Sequence, residues 1–316
     1  MKFFLYVIYF FVFSSLGAKA ESCTKLDDKN GAFNRARFIK SPGSYCLTKD
    51  IYQPDKSFFA WESSGGGAYT LLEIRNLNGN FGDQDNQIYD INLSGYTLKF
   101  ESTGIQGVSS YGITKVKIRN GSIANVLTGI GFSGGLLQTT KLGNNEISFA
   151  DFEDFLPSQT LETTPPVYKK SDYLVEKLNI QAGYRGIVLG GGNNIIRNST
   201  IEVDAHTAIY MYGPNPIIEN NTIIIHGKGK TNPNFKEDGI KILDGAIKLR
   251  DAKGGIIRNN RIIYKGGFLG FGKAPVAINL LDSKDVLIEN NTIEGFKALV
   301  RQNGDTSITE NSNTLK

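Results

Sequence analysis

The sequence predicts an all-β fold, a parallel solenoid in which short strands wind into stacked coils. Three observations predict it. A phrase with paired asparagines, or an Asn-Ser variant, recurs between apolar runs: NIIRNSTI at 194–201, PIIENNTI at 216–223, GIIRNNRI at 255–262 and VLIENNTI at 286–293. A second phrase, a small residue then an apolar one, recurs at Gly129-Ile130, Gly186-Ile187, Ala208-Ile209, Ala246-Ile247, Ala277-Ile278 and Ala298-Leu299. The two phrases keep step. The first asparagines (Asn198, Asn220, Asn259, Asn290, Asn311) are 22, 39, 31 and 21 residues apart, and the apolar residues from Ile187 are 22, 38, 31 and 21 apart. Independent motifs that advance together mean one unit, repeated with insertions.

From the N-terminus, residues 1–20 read as a secretory signal peptide. Lys2 supplies a positive start, FFLYVIYFFVFSSLG an apolar run, and AKA before Glu21 a small-x-small cleavage site. The apolar run is short for a membrane span, which needs about 20 residues. No later segment is long and apolar enough to cross a membrane. The expected location is therefore outside the cytoplasm, periplasmic or secreted. Cys23 and Cys46 are the two cysteines of the chain, and an even pair in an exported protein points to a disulfide. Of the 35 Lys and Arg residues, Lys2 and Lys19 fall in the signal, which leaves 33 against 31 acidic residues. That balance gives no case for nucleic acid or an anionic membrane surface.

Residues 21–110 are expected to hold an N-terminal cap and the first coils. Residues 111–316 are expected to hold the repeats, interrupted at about 135–172, 226–239 and 264–275. The unit is 21 to 22 residues long and its apolar residues alternate with period two. In GIVL, AIYM, AIKL and AINL the second and fourth residues point inward and the third outward. Three short strands that cannot bury their own face must stack on their neighbours. The first asparagine of each pair is expected at one bend, because Asn tolerates left-handed backbone. Stacked about 4.8 Å apart, such side chains would hydrogen-bond along the column. Asn120 and Asn311 extend the same series. Five glycosylation sequons, at Asn92, Asn120, Asn198, Asn220 and Asn290, are the competing explanation, but they do not account for the register.

The alternation of I-x-N-N-T-I with [GA]-I-x-[LM] resembles the right-handed parallel β-helix repeat family, whose fold is shared by pectate lyases and polygalacturonases. The resemblance covers about 111–316. It implies a single-stranded right-handed parallel β-helix, here with an N-terminal cap, and leaves the activity open. The polygalacturonase motif N-T-D is absent, and D-D occurs only at Asp27-Asp28, ahead of the repeats. HGKG at His226–Gly229 and GIKI at Gly239–Ile242 only echo the others, so hydrolysis by paired carboxylates lacks its signature.

Aligning the outward positions gives a candidate site. The column Gly131, Val188, Tyr210, Lys248, Asn279, Val300 lies beside Ser133, Gly190, Tyr212, Arg250, Leu281, Gln302. Lys248, Arg250, Tyr210 and Tyr212 then share one exposed sheet face, with Asn279 beside them and the two histidines, His206 and His226, nearby. Arg pairs bidentately with a carboxylate and Tyr packs on a sugar ring, so the expected partner is an anionic, uronate-containing polysaccharide. A lyase-like β-elimination would use Arg250 on the carboxylate, Lys248 or Tyr210 as base, and His206 or Tyr212 as acid. Lys241 and Arg250 would lower the Lys248 pKa by like-charge repulsion. Asp251 and Asp282, at neighbouring strand ends, are the candidate oxygen ligands for Ca²⁺, although Asp at such positions also starts turns. The other reading is a non-catalytic periplasmic or surface β-helix that presents loops to a partner. A monomer is expected in either case.

Overall fold

The computed structural model describes residues 22–26, 37–53, 70–75, 87–111, 113–132, 141–142, 145–146, 168, 170–205, 207–227, 245–266 and 274–316. Residues 1–20, read above as a signal peptide, lie outside the described residues. So do His206, Lys241, most of 135–167, and 228–244 and 267–273 of the two later insertions.

In chain order the first strands are β1 (Thr24–Leu26), β2 (Arg37–Ile39), β3 (Gly43–Leu47), β4 (Ile51–Gln53), β5 (Thr70–Arg75), β6 (Tyr89–Asn92), β7 (Thr97–Tyr111) and β8 (Val116–Phe132). A small antiparallel pair follows, β9 (Lys141–Leu142) with β10 (Asn145–Glu146). The regular coils are β11 (Leu174–Gly190), β12 (Ile195–Arg197), β13 (Thr200–Val203), β14 (Ile209–Tyr212), β15 (Ile217–Glu219), β16 (Thr222–Ile225), β17 (Ile247–Arg250), β18 (Ile256–Arg258) and β19 (Arg261–Tyr264). The last are β20 (Ala274–Leu281), β21 (Val286–Glu289), β22 (Thr292–Glu294), β23 (Phe296–Asn303), β24 (Ile308–Asn311) and β25 (Thr314–Leu315).

Apart from the β9–β10 pair, every ladder is parallel, and the strands form three faces. Face A stacks β3, β6, β8, β11, β12, β15, β18, β21 and β24. Face B stacks β4, β7, β8, β11, β13, β16, β19, β22 and β25. Face C stacks β2, β5, β7, β8, β11, β14, β17, β20 and β23. Each coil visits A, B and C in turn, which is the right-handed parallel β-helix. The described strands of 21–110 already belong to this ladder, β1 pairing with β3 at the start. Cys23 and Cys46 are disulfide-bonded across that first pair, with Cα atoms 5.7 Å apart.

Period two places one residue type in each inward column. Ile196, Ile218, Ile257 and Ile288 line face A, Ile201, Ile223, Ile262 and Ile293 face B, and Ile187, Ile209, Ile247 and Ile278 face C, all fully buried. β-branched residues fill a pleated surface with few rotamers to lose, so the same side chain packs on itself coil after coil.

The asparagine pairs divide two tasks at the A–B corner. Asn198, Asn220, Asn259 and Asn290 have φ between 53° and 57° and are exposed; they turn the chain. The hydrogen-bonded column belongs instead to the second residue, Ser199, Asn221, Asn260, Asn291 and Asn313, a correction to the expectation that the first asparagines stack. Asn260 Oδ1 accepts from Asn221 N at 3.0 Å and Asn221 Nδ2 at 3.1 Å, while Asn260 Nδ2 donates to Asn291 Oδ1 at 3.0 Å and to Ile218 O at 2.9 Å. Asn291 and Asn313 repeat the pattern one coil on. Each amide satisfies its neighbour's buried backbone N–H as well as its side chain.

The last coil also corrects the register by one residue. Asn311 pairs with Glu289, Ser312 takes the bend at φ 53°, and Asn313 enters the column. On face C, Asn279 pairs with Arg301 and Leu281 with Asn303, in place of the expected Val300 and Gln302.

Candidate functional site

On face A the outward residues neutralise one another. Register stacks Arg119, Glu176, Arg197, Glu219, Arg258 and Glu289. Arg197 contacts Glu176 at 2.8 Å and Arg258 contacts Glu219 at 2.7 Å. An alternating ladder with its charges paired presents no field to an ionic ligand.

The outward column of face C runs as aligned: Val188, Tyr210, Lys248 and Asn279 stack in register, with Tyr212 and Arg250 beside them. The structure brings these side chains together but does not expose them. Lys248 is 6 % and Arg250 8 % exposed, and Tyr210, Tyr212 and Asn279 are buried. This corrects the open sheet face of the sequence reading. Part of the cover is Tyr168, from the end of the first insertion. Its ring lies 6.2 Å from that of Tyr212, and its hydroxyl donates to Asp251 Oδ2 at 2.5 Å. Lys170, two residues on, forms a parallel bridge with Gly192 of the next coil, so the chain joins the regular ladder directly after Tyr168.

Inside the cluster Lys248 Nζ sits 5.3 Å from the centre of the Tyr210 ring, a cation–π contact. Tyr210 and Tyr212 are tilted at 5.5 Å. Tyr212 lies across Gly190 of the preceding coil, where a Cβ would meet its ring at 2.3 Å. Arg250 Nε is 3.6 Å from Asp251 Oδ2. Burial pushes the Asp251 carboxyl above the usual aspartate range, assisted by the charge of Asp282 and opposed by the Tyr168 hydrogen bond and by Arg250. Burial also raises the Tyr168 phenol, which stays protonated and donating.

Asp251 and Asp282 occupy left-handed bends, with φ 52° and 48°. Asp251 accepts from Tyr168, and Asp282 Oδ1 accepts from Asp305 N at 3.1 Å. Among the described residues no group of three or more His, Cys, Asp or Glu side chains is placed to hold a metal ion.

A second feature lies at the B–C corner. A groove of about 390 Å³ crosses four successive coils, from Asn125 of β8 through Gln181 of β11 and Glu202 of β13 to Asp204 and His226. Its floor is buried Val126, Ala182 and Val203. Glu202, in β13, and Asp204, just past its end, both line the groove. His226 Nε2 lies 3.1 Å from Glu202 Oε2. The groove opens where β8 and β11 lose register: Asn125 has φ 55°, and the β8–β11 pairing shifts on both sides of Ala182. Sequence reasoning grouped His226 with the tyrosines of face C and overlooked this corner. The available signal was SIANV and NIQAG, where strict alternation fails in two neighbouring coils.

The family model for a right-handed β-helix region matches residues 167–316. No curated protein matches the chain. Among the described residues no helix is long and apolar enough to cross a membrane.

Proposed function

We propose that this chain, whose residues 167–316 belong to the right-handed β-helix family, is an exported polysaccharide-binding protein that holds a glycan in the B–C groove without cleaving it by elimination. The observation that carries the reading is the groove itself. Its volume of about 390 Å³ lies in the range of small-molecule sites, which combine an apolar floor with a few convergent polar groups. Asn125 and Gln181 offer amides that both donate and accept, and Glu202 and Asp204 accept from hydroxyls. Ala182, the most exposed of the apolar floor residues at 7 %, offers a ring a small apolar contact. Four coils at about 4.8 Å give the groove the long axis of a chain rather than of a single small molecule.

Elimination has weaker support. A base must approach the proton it removes to hydrogen-bond distance, and Lys248 and Arg250 lie in a packed cluster under Tyr168. The ligand class also differs from the sequence expectation, because a polyuronate in the groove would face Glu202 and Asp204.

The test is a titration of the signal-cleaved protein against a panel of neutral, basic and uronate-containing oligosaccharides, with ultraviolet absorbance followed in parallel. Saturable binding lost in Gln181→Ala and unaccompanied by new absorbance is the expected result. Absence of binding across the panel, or accumulation of unsaturated product, overturns the reading.

A further inference from the structure

Face A carries an apolar stripe on its outward side, next to the ion-pair ladder. Register puts Leu174, Ile195, Ile217, Ile256 and Leu287 in one column over five successive coils, and each is partly exposed. The pleat does not demand this. In the same coils the corresponding column of face B holds Asn179, Thr200, Thr222, Arg261 and Thr292. From Leu174 to Asn311 the turns that bound face A are short and made of described residues. The two later insertions leave the ladder between β16 and β17 and between β19 and β20, at the B–C corner. We infer that face A is the interface of a homodimer, in which two copies pack face to face with their solenoid axes antiparallel.

The charge ladder beside the stripe selects a second copy as the occupant and fixes its direction. Arg119, Glu176, Arg197, Glu219, Arg258 and Glu289 alternate in sign over six coils. A two-fold axis parallel to the strands keeps stripe on stripe and ladder on ladder while reversing the order of the coils. Placed between the coils of Arg197 and Glu219, it sets Arg197 against Glu219, Arg258 against Glu176 and Arg119 against Glu289 of the other copy. Every ladder charge then meets its opposite, and the surface complements itself, as an isologous contact must. An axis through a coil would set like charges together, which is costly. The same operation opposes Ile195 to Ile217 and Leu174 to Ile256, so the gain comes from aliphatic surface leaving water. Lys117, next to Leu174 in the column, falls against Leu287 at the rim, where its ammonium reaches water. The pairs within each copy do not obstruct the contact. Arg197 and Arg258 engage Oε2 of Glu176 and Glu219, which leaves Oε1 to accept from a second guanidinium with its five donors. Facing sheets lie about 10 Å apart with their strands aligned. Six coils by one strand is a small contact among specific interfaces, so the dimer forms with rising concentration rather than obligately. The B–C corner is opposite face A and stays open in the pair.

Sedimentation velocity of the protein from Glu21 onward, over a range of concentrations, tests the assignment. The wild type is expected to pass from monomer to dimer as concentration rises. Ile217→Lys is expected to raise the dissociation constant by about tenfold or more, because it buries a charge against Ile195 of the other copy. Thr222→Lys, which adds the same charge on face B, is expected to leave the constant unchanged. Arg197→Glu and Glu219→Arg are each expected to weaken the dimer, and the two together to restore it, since the reversed charges meet across the two-fold axis. That restoration cannot come from the ladder within one copy, where the double reversal sets like charges side by side. A wild type that stays monomeric at every concentration overturns the inference. So does a dimer indifferent to Ile217→Lys, one equally sensitive to Thr222→Lys, or a double variant as weak as the single ones. The wild-type series can overturn the inference by itself, even where a variant fails to fold.

Discussion

Two polar columns run along this solenoid inside its surface, and they are built on opposite principles. At the A–B corner, Asn221, Asn260, Asn291 and Asn313 repeat one residue type, and each finds its partners one coil away in the column and in the adjacent backbone. On face C, Val188, Tyr210, Lys248 and Asn279 change type at every coil. There Tyr168, from the end of the first insertion, packs on Tyr212 and hydrogen-bonds Asp251. A column of identical residues closes its own hydrogen bonds and depends only on the coil repeat. A column of unlike residues has no such self-closure, and here Tyr168 contributes part of its cover. The first is a property of the fold, and the second belongs to this chain.

The largest expected effect breaks the first column. Asn260→Leu removes one amide, which takes the acceptor from Asn221 N and the side-chain donor from Ile218 O, at a cost of roughly 1 to 3 kcal/mol for each buried group left unpaired. A denaturant-unfolding difference of about 3 kcal/mol is the expected outcome. Asn259→Gly, one residue earlier, should be close to neutral, because Gly adopts the left-handed bend at no steric cost. Equal losses at the two positions would show that the column and the bend do not divide these tasks.

Next in size is the attachment of Tyr168. Tyr168→Phe keeps the ring packing on Tyr212 and deletes the hydrogen bond to a carboxylate, worth roughly 1.5 to 3 kcal/mol for a charged acceptor. Increased proteolysis within residues 133–167 without a matching drop in global stability would sharpen the comparison, since it would confine the second column's dependence to its cover. Unchanged proteolysis and stability would mean that Tyr168 contributes nothing to that cover.

The third effect is in pH. Burial raises the folded pKa of Asp251, so the folded chain binds this proton more tightly than the unfolded one. The corresponding stability is fully present below the ordinary aspartate range and is lost as pH rises through the raised folded value. The wild type should therefore gain on Asp251→Asn as pH falls through that window, read as the difference in midpoint between the two proteins. A difference that stays constant with pH would contradict the assignment.

The smallest effect lies at the surface. Arg261 donates to Glu294 at 3.2 Å with its own side chain 58 % exposed, and the contact holds the Glu294 carboxyl below its usual range. An exposed pair of this kind contributes at most about 1 kcal/mol. Arg261→Ala should shift unfolding by a few tenths of a kcal/mol and lose even that in high salt. A shift as large as that of Asn260→Leu would mean that outward pairs rank with the buried column.

Most of the architecture was legible in the sequence because period-two alternation, a coil of 21 to 22 residues and a bend tolerant of left-handed backbone each leave a local mark. Ile196, Ile218, Ile257 and Ile288 could be aligned by eye, and the alignment predicted that Tyr210, Lys248 and Asn279 share a column. The one-residue slip in the last coil arose where the words changed: ITENSNT offers E-N beside N-S-N, and only Asn313 makes the hydrogen bonds that identify the equivalent position. The division of labour within each Asn pair was hidden for the same reason. Both residues suit a bend, and only the direction of the side chain decides which amide is inside.

The sequence by itself determined the repeat, the strand faces and the disulfide partners, since each is fixed by spacing along the chain or by a count of two. Tertiary structure decided the environment of each outward residue. Whether Lys248 and Arg250 meet solvent depends in part on Tyr168, whose hydroxyl reaches Asp251 beside them, a contact between positions 83 apart in sequence. The groove likewise depends on register shifts in β8 and β11 that bring Asn125, Gln181, Glu202 and His226 to one corner. Alternation says which side chains leave the core; only the assembled coils say what they meet outside it.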